Sequence, residues 1–231
     1  MPSRPSPARP SCGAAECRSV QSVMTEAVGF DLDMTLIDSR PGIAATYRAL
    51  SARTGVHVDA DLVVSRLGPP LRSELRHWFP PDEVEEAVSR YRSLYPRYAV
   101  EPTRPTPGAR EALAAARSLG LRVVVVTSKI GRLAELHLSH LQLAADELAG
   151  DRFAEGKAAA IKEHGVRWFV GDHVGDMVAA TAAGITGIGV TTGPCSAAEL
   201  TEAGATYVLG DLTAFPALLR RIAVGSAGAG R

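Results

Sequence analysis

The sequence is poor in cysteine, in net charge and in long apolar runs, and each shortage excludes a class of protein. Three cysteines are too few for a disulfide framework and fit a reducing compartment such as the cytosol. The 25 basic and 25 acidic residues cancel, so no net field recruits nucleic acid or an anionic membrane surface. No apolar run reaches the roughly 18 residues that span a bilayer. We therefore expect a cytoplasmic protein without nucleic-acid or membrane partners.

The two ends of the chain differ in composition from the rest. Residues 1–23 hold four prolines and five serines, no aromatic residue and no apolar block that could serve as a signal-peptide core. We predict that they form a disordered leader ahead of the second methionine, Met24, and that the closing segment 223–231 is a flexible tail. The chain as a whole is 46% hydrophobic and long enough to fill a sizeable core.

Between these ends, short β-rich runs alternate with helical stretches, a pattern typical of a parallel sheet covered by helices. The candidate strands are AVGFDLD, LRVVVVTS, WFVGD, GIGVTT and TYVLGD. Their Val, Ile, Phe and Gly content is what strands buried on both faces need. The sequence therefore predicts an α/β fold with a three-layer, Rossmann-like parallel sheet core.

One interval, 40–104, interrupts this alternation and has the pattern of successive helices. Its clearest apolar stripe has the spacing of one helix face and comprises Val84, Val88, Tyr91 and Tyr95. We predict that 40–104 forms a small all-helical cap inserted after the first strand. The α/β core would then consist of 24–39 and 105–222.

Polar side chains follow three of the predicted strands. They are Asp31, Asp33, Thr127, Ser128, Asp172 and Asp176. Ligands of open parallel sheets bind at the carboxyl ends of strands, so these residues are candidates for one site. Close carboxylates repel, and one stays protonated unless a cation lies between them. A lone Asp there more often caps a helix, but capping does not explain four acidic residues in two paired motifs. The pattern indicates a hard divalent ion held by oxygen ligands, most naturally Mg²⁺.

Four segments resemble the four motifs of the haloacid dehalogenase-like (HAD) hydrolase superfamily, in the same order. They are FDLDMTLIDS, VVVVTSK, GKAAAIKEHG and FVGDHVGDMVAATAAGI. The resemblance extends from Val28 to about Leu219, and the most similar subgroup is that of the phosphoglycolate phosphatases with an α-helical cap. It implies a Mg²⁺-dependent phosphatase that hydrolyses a small phosphomonoester through an aspartyl-phosphate intermediate.

The resemblance also implies roles for the two carboxylates of the first motif. Asp31 would be the nucleophile that attacks phosphorus and forms the aspartyl-phosphate. Asp33 would give a proton to the leaving alkoxide and then take one from the attacking water. The second Asp separates this chain from the dehalogenases proper, which lack that acid.

Thr127 would bind a phosphoryl oxygen with its hydroxyl, the neighbouring Ser128 would also bind the substrate, and a lysine would neutralise charge on the phosphoryl group. We prefer Lys157 for this role because it lies at a predicted helix start. Lys129, which we expect to point to solvent, and Lys162, which falls inside the same helix, are its rivals.

The same resemblance assigns the metal ligands. The side chains of Asp31 and Asp172 and the backbone carbonyl of Asp33 would bind Mg²⁺, with Asp176 as a further ligand or as a group that orients the ligands.

The segment RLGPPL resembles the cap loop that selects substrates in this subgroup, which makes Arg66 and Gly68 candidate substrate-binding residues. Arg66, Arg72, Arg76 and His77 could meet a substrate carboxylate or second phosphate, or could equally form a solvated helix face. The implied partner is a small phosphorylated metabolite. The oligomeric state has no signal in the sequence.

Four other positions carry structural expectations. Met34 stands where glycine is most common in these enzymes, and because methionine is strained at positive φ we expect ordinary backbone there. We expect its side chain to pack against the cap. His137 and His140, three apart on a helix, are predicted to lie on a solvated face. His173 is predicted to be part of the loop structure, and its closeness to the implied metal leaves a minor role there open.

Other functions remain open at this stage. A sugar phosphomutase of the same superfamily is the alternative enzyme. Outside the enzymes, a phospho-accepting signalling receiver or a catalytically inactive binding protein would use the same fold, although the inserted cap and Asp33 speak against a receiver.

Overall fold

The computed structural model describes residues 26–227, so the predicted leader 1–23 lies outside the described residues. The elements in chain order are β1 (Ala27–Phe30), β2 (Ile37–Asp38), α1 (Arg40–Thr54), α2 (Ala60–Ser65), α3 (Leu71–Leu75), α4 (Val84–Tyr98), β3 (Arg104–Pro105), α5 (Ala109–Ser118), β4 (Arg122–Val126), α6 (Gly131–His140), β5 (Glu147–Ala149), α7 (Glu155–Glu163), β6 (Val166–Gly171), α8 (Val174–Ala183), β7 (Thr186–Val190), α9 (Ala197–Glu202), β8 (Ala205–Leu209), a 3₁₀ turn (Leu212–Ala214) and α10 (Phe215–Ala227).

Six parallel strands form the main sheet in the order β5-β4-β1-β6-β7-β8. The predicted α/β fold is confirmed, and the five predicted strands are β1, β4, β6, β7 and β8. The sequence did not predict β5, an edge strand of three residues of which only Ala149 is fully buried. Because β1 lies between β4 and β6, the residues that follow these three strands meet at one edge of the sheet.

The four valines of β4 show why the sheet has helices on both faces. Val123 and Val125 belong to the apolar cluster under α5, α6 and α10. Val124 and Val126 point the other way, into the cluster under α7 and α8. A strand alternates its side chains between two faces, so a continuous valine run needs a covering layer on each. The core therefore has three layers.

Helices α1 to α4 lie within the predicted cap interval and share an apolar cluster of their own. The stripe predicted from helical spacing is buried in it. The two chain segments that connect these helices to the sheet pair as a short antiparallel ribbon, with Ile37 opposite Pro105 and Asp38 opposite Arg104. The sequence did not predict this ribbon, since strands of two residues carry no periodicity. The exact domain boundaries stay a prediction.

The C-terminal end differs from the prediction. Helix α10 continues to Ala227, so the tail predicted for 223–231 is wrong for its first five residues. The physical reason is that Ile222 and Ala223 pack against the core cluster, which extends the buried face of α10 by another turn. No helix in the part of the chain that the structure describes is long and apolar enough to cross a membrane.

Helix α1 meets the end of α4 at Gly42, and this contact gives a stability test. A Cβ at Gly42 would lie 2.2 Å from the backbone oxygen of Ala99, an atom that cannot rotate away. We expect Gly42→Ala to lower the free energy of unfolding by about 1–3 kcal/mol, as overpacking does. The matched control is Gly131→Ala in α6, where an added Cβ meets open space and stability should change by less than about 0.5 kcal/mol. Chemical denaturation measures both, and equal stabilities of the two variants would contradict the close contact.

Candidate active site

Three buried carboxylates converge at the carboxyl ends of β1 and β6. One oxygen each of Asp31, Asp172 and Asp176 lies within 4.8 Å of the others. Burial, opposed by Lys157 and reinforced by Asp176, raises the pKa of Asp31 to about 7. Burial and the charges of Asp31 and Asp176 also raise the pKa of Asp172 well above its ordinary value. The site therefore concentrates negative charge in a place from which water is largely excluded.

Lys157, on α7, is the cation at this cluster. Its Nζ donates to Asp31 Oδ1 at 2.7 Å and to Asp176 Oδ1 at 2.6 Å. Burial alone would lower the pKa of Lys157, but the two carboxylates outweigh it and raise the pKa, so the ammonium stays charged. Of the two rival lysines, Lys162 is exposed on α7 and Lys129 lies elsewhere in the site.

Asp33 points away from the three clustered carboxylates. Its Oδ1 accepts hydrogen bonds from Ser39 Oγ and from Lys129 Nζ, each at 2.5 Å. Burial would raise the pKa of Asp33, but the charge and hydrogen bond of Lys129 outweigh it and hold the pKa below its ordinary value. The expectation that Lys129 points to solvent is wrong. Its side chain turns inward because Asp33 and Tyr95 both offer it an oxygen.

The donor set fits a hard divalent cation. Asp31, Asp172 and Asp176 present only oxygen atoms, and a single ammonium does not balance three carboxylates. Asp172 is held in place by Thr35, whose Oγ1 donates to Asp172 Oδ1 at 2.9 Å. Gly193 packs on the other side of this carboxylate, so closely that a Cβ there would lie 1.8 Å from Asp172 Oδ2. Such bracing fixes an acidic side chain that would otherwise turn away from its neighbours.

Helix α8 begins at the site with a reciprocal cap. His173 is the N-cap residue: its Nδ1 accepts from Gly175 N at 3.0 Å, and its own N–H donates to Asp176 Oδ2 at 3.2 Å. His173 therefore orients Asp176, a more specific role than loop structure. Its ring also touches the cap loop, since a Cβ on Gly68 would lie 2.6 Å from His173 Cδ2.

The predicted phosphate-binding residues follow β4. Thr127 is buried, and its hydroxyl accepts the backbone N–H of Lys129 at 3.2 Å. Ser128 lines the adjacent cavity, whereas Thr127 is not among its lining residues. The role of Thr127 toward a phosphoryl oxygen stays a prediction.

A cavity of 690 Å³ separates the helical cap from the sheet. Its floor contains Asp31, Asp33, Lys157 and Asp172, and its roof is mostly apolar and aromatic. The roof includes Ile43, Tyr47, Val63, Leu67, Leu71 and Tyr91. The cavity is thus polar where the carboxylates lie and apolar toward the cap.

The cap cations are already paired. Arg66 lines the cavity but donates from Nε and Nη2 to the two oxygens of the buried Glu74, at 3.0 and 2.7 Å. Arg72 pairs with Glu85. Arg76 and His77 are exposed and are not among the described residues that line the cavity. The four cations named from the sequence therefore do not form a common anion site.

Two structural expectations are wrong. Met34 is buried and lines the cavity, but its φ is 60°, in the left-handed region and not the ordinary backbone expected. The cause is a tight turn after β1, in which Met34 N–H donates to Ile37 O at 2.7 Å, so the turn imposes the strain that the side chain disfavours.

His137 is fully buried and does not lie on a solvated face. Its Nε2 is 2.9 Å from Tyr95 Oη, and burial lowers its pKa to about 3, so the imidazole is neutral. The signal was present in the sequence, since His137 follows Leu133 by one helical turn and precedes Leu141 by another. His140 is exposed, as expected.

Family models and curated proteins match most of this chain. The family model for haloacid dehalogenase-like hydrolases matches residues 28–181, and a model described as HAD-hydrolase-like matches residues 152–215. The phosphoglycolate phosphatase of Neisseria gonorrhoeae is 33% identical over 190 residues, which is 73% of this chain and 80% of that protein. The 5′-nucleotidase of Pseudomonas aeruginosa is 31% identical over 211 residues, 82% of this chain and 93% of that protein.

Solved structures are similar over the same extent. A haloacid dehalogenase-like family hydrolase from Streptococcus pneumoniae superposes with a TM-score of 0.72 at 25% identity, covering 86% of this chain and 98% of that one. The similarity therefore includes the cap interval as well as the sheet.

The crowded carboxylates predict an unusual stability effect. The pKa of Asp31 is about 7 in the folded chain against an ordinary 3.8, so the folded state retains a proton that the unfolded state has lost. Stability without divalent ions must then fall as the pH rises from about 4 to about 7. In EDTA at pH 7.5 we expect Asp31→Asn to be more stable than the wild type by on the order of 2 kcal/mol, with the gap closing towards pH 4.

Thermal and urea unfolding across this pH range measure the effect. The control is Asp82→Asn, which changes an exposed carboxylate outside the site and should leave the pH dependence as it is. A wild type as stable as Asp31→Asn at pH 7.5 would show that the carboxylates do not repel as described.

Proposed function

This chain belongs to the haloacid dehalogenase-like hydrolase family and is a phosphatase, and on that premise we propose that it hydrolyses a small, phosphoglycolate-like phosphomonoester with the help of Mg²⁺ and through an aspartyl-phosphate intermediate. The proposal rests on one observation: the two acidic residues of the first motif, Asp31 and Asp33, have separate surroundings. Asp31 lies with Lys157 and two further carboxylates, and Asp33 lies apart from them.

Asp31 is the proposed nucleophile. Its carboxylate oxygen attacks phosphorus while the bond from phosphorus to the ester oxygen breaks, which leaves a phosphoryl group on Asp31. Lys157 lies 2.7 Å from the attacking side chain, close enough to neutralise charge on the transferring phosphoryl group. A bound Mg²⁺, held by Asp31, Asp172, the backbone carbonyl of Asp33 and Asp176, would supply further charge neutralisation there.

Asp33 is the proposed acid and base. It gives a proton to the leaving alkoxide, then takes one from the water that attacks the phosphoryl group and releases phosphate. Its lowered pKa keeps the carboxyl deprotonated, so it can accept a proton in the second step. The phosphate of the substrate adds negative charge next to Asp33, which raises its pKa towards what the first step needs.

The volume of the cavity favours a second candidate substrate. At 690 Å³ it exceeds what a two-carbon leaving group fills, and its aromatic roof would accommodate the nucleoside of a 5′-mononucleotide. A substrate panel should therefore contain phosphoglycolate, a 5′-mononucleotide and a sugar phosphate.

The first prediction of this proposal concerns the nucleophile and the ion. Phosphate release from the panel should require Mg²⁺ and stop in EDTA. Asp31→Asn should reduce turnover by at least about a thousandfold with the fold retained, because the amide keeps the volume but cannot attack. Colorimetric phosphate assays measure this. Undiminished hydrolysis by Asp31→Asn would refute the nucleophile, and isomerisation of a sugar phosphate without phosphate release would favour a mutase.

The second prediction separates the two chemical steps. With acetyl phosphate, whose leaving group departs without an acid, Asp33→Asn should form the phosphoenzyme but hydrolyse it slowly, because water lacks its base. Intact-protein mass spectrometry should then show the gain of one phosphoryl group. The double variant Asp31→Asn with Asp33→Asn is the control and should show none. If the double variant gained the same mass, the phosphoryl group would reside on another residue.

A further inference from the structure

We propose that Lys129 binds the carboxylate of the leaving group, and so makes the enzyme selective for phosphomonoesters that carry a negative charge next to the ester oxygen. The inference rests on the proposed function and adds to it a specificity-determining residue. It follows from where the ammonium lies, from its hydrogen bonds and from the pairing of the other cations.

Lys129 lies on the leaving-group side of the site. Its Nζ is 2.5 Å from Oδ1 of Asp33, the group proposed to protonate the ester oxygen. An ammonium in contact with Asp33 is therefore next to the position of that oxygen. In glycolate the carboxylate is one methylene away from the same oxygen, so it falls within reach of Lys129. Lys157 lies on the opposite, nucleophile side and contacts Asp31.

The ammonium of Lys129 has one donor to spare. It carries three N–H groups, of which one goes to Asp33 and one to Tyr95 Oη at 2.7 Å. No third acceptor is found for it within residues 26–227. The side chain is only 9% exposed, yet it lines the cavity. A buried donor that faces a ligand cavity is well placed to bind a ligand acceptor.

The other cations near the cavity are less suitable. Arg66 is held by both oxygens of Glu74, and Arg72 is paired with Glu85. Arg92 is 3.9 Å from Asp151. Two of these three pairs, those of Arg66 and Arg72, lie entirely within the cap. Lys129 is thus the cation best placed for an anionic leaving group.

Tyr95 and His137 are positioning residues for Lys129. Tyr95 Oη accepts from Lys129 and is hydrogen-bonded to His137 Nε2, 2.9 Å away. Tyr95 lies on α4 of the cap, whereas Lys129 and His137 lie on the core, so the docked cap orients the ammonium.

The test compares two substrates of similar size, phosphoglycolate and 2-hydroxyethyl phosphate, which lacks the carboxylate. The wild type with Mg²⁺ should prefer phosphoglycolate. Lys129→Met should lower kcat/KM for phosphoglycolate by about 10- to 100-fold more than kcat/KM for 2-hydroxyethyl phosphate. This factor is what the loss of a hydrogen bond to a charged group produces. Most of this difference should lie in KM. Lys129→Arg, which keeps the charge, should retain part of the preference.

Tyr95→Phe tests the positioning role. It should reduce the preference for phosphoglycolate by about threefold to tenfold, as expected for one neutral hydrogen bond, again mainly through KM. The matched controls are Tyr98→Phe on the same helix and Lys162→Met, an exposed lysine of α7, and neither should change the preference.

The outcomes are distinct. Equal losses on both substrates in Lys129→Met would overturn the inference, because Lys129 would then act only on Asp33. If Lys129→Met does not fold, Lys129→Gln removes the charge, keeps a donor to Asp33 and gives the same comparison. A wild type that hydrolyses neither ester with Mg²⁺ would instead overturn the proposed function, and the inference with it.

Discussion

The structure depends on the repulsion among three carboxylates held together at the end of a parallel sheet. Asp31 and Asp172 follow neighbouring strands, and Asp176 is brought in by the first turn of α8. Such a cluster is costly in a buried place, and the chain compensates with the ammonium of Lys157 and with bracing by Thr35. The apolar packing of three layers supplies the stability that this arrangement needs.

A second charge pair, Asp33 with Lys129, lies beside the first. Asp33 lies two residues beyond Asp31, in the turn after β1, and Lys129 meets it there. Each acidic residue of the first motif thus has its own lysine, Lys157 for Asp31 and Lys129 for Asp33. The two lysines come from different elements of the core, and one of them also contacts Tyr95 of the cap.

What could be predicted from the sequence depended on local signals. The sheet followed from runs of β-branched residues, and the carboxylate cluster from the positions of Asp31 and Asp172 at strand ends. Contacts between distant segments could not be predicted. Lys129 was expected to point to solvent. Its contact with Tyr95 was not predicted, because Tyr95 is 34 residues away in the chain. Arg66 was a candidate for binding the substrate. Its pairing with Glu74 was not predicted, because it depends on how two short helices pack.

The ribbon of β2 and β3 has a consequence for the modularity of the fold. Asp38 and Arg104 lie opposite each other in this ribbon, so the chain leaves the core and returns to it at one place. The segment between them is topologically a hairpin loop that has grown into a folded unit, and closing a loop costs little more as it lengthens. Shortening it to a tight turn would leave every pairing in the main sheet intact. The helical unit is thus a single insertion, and none of the strand pairs of the main sheet depends on it.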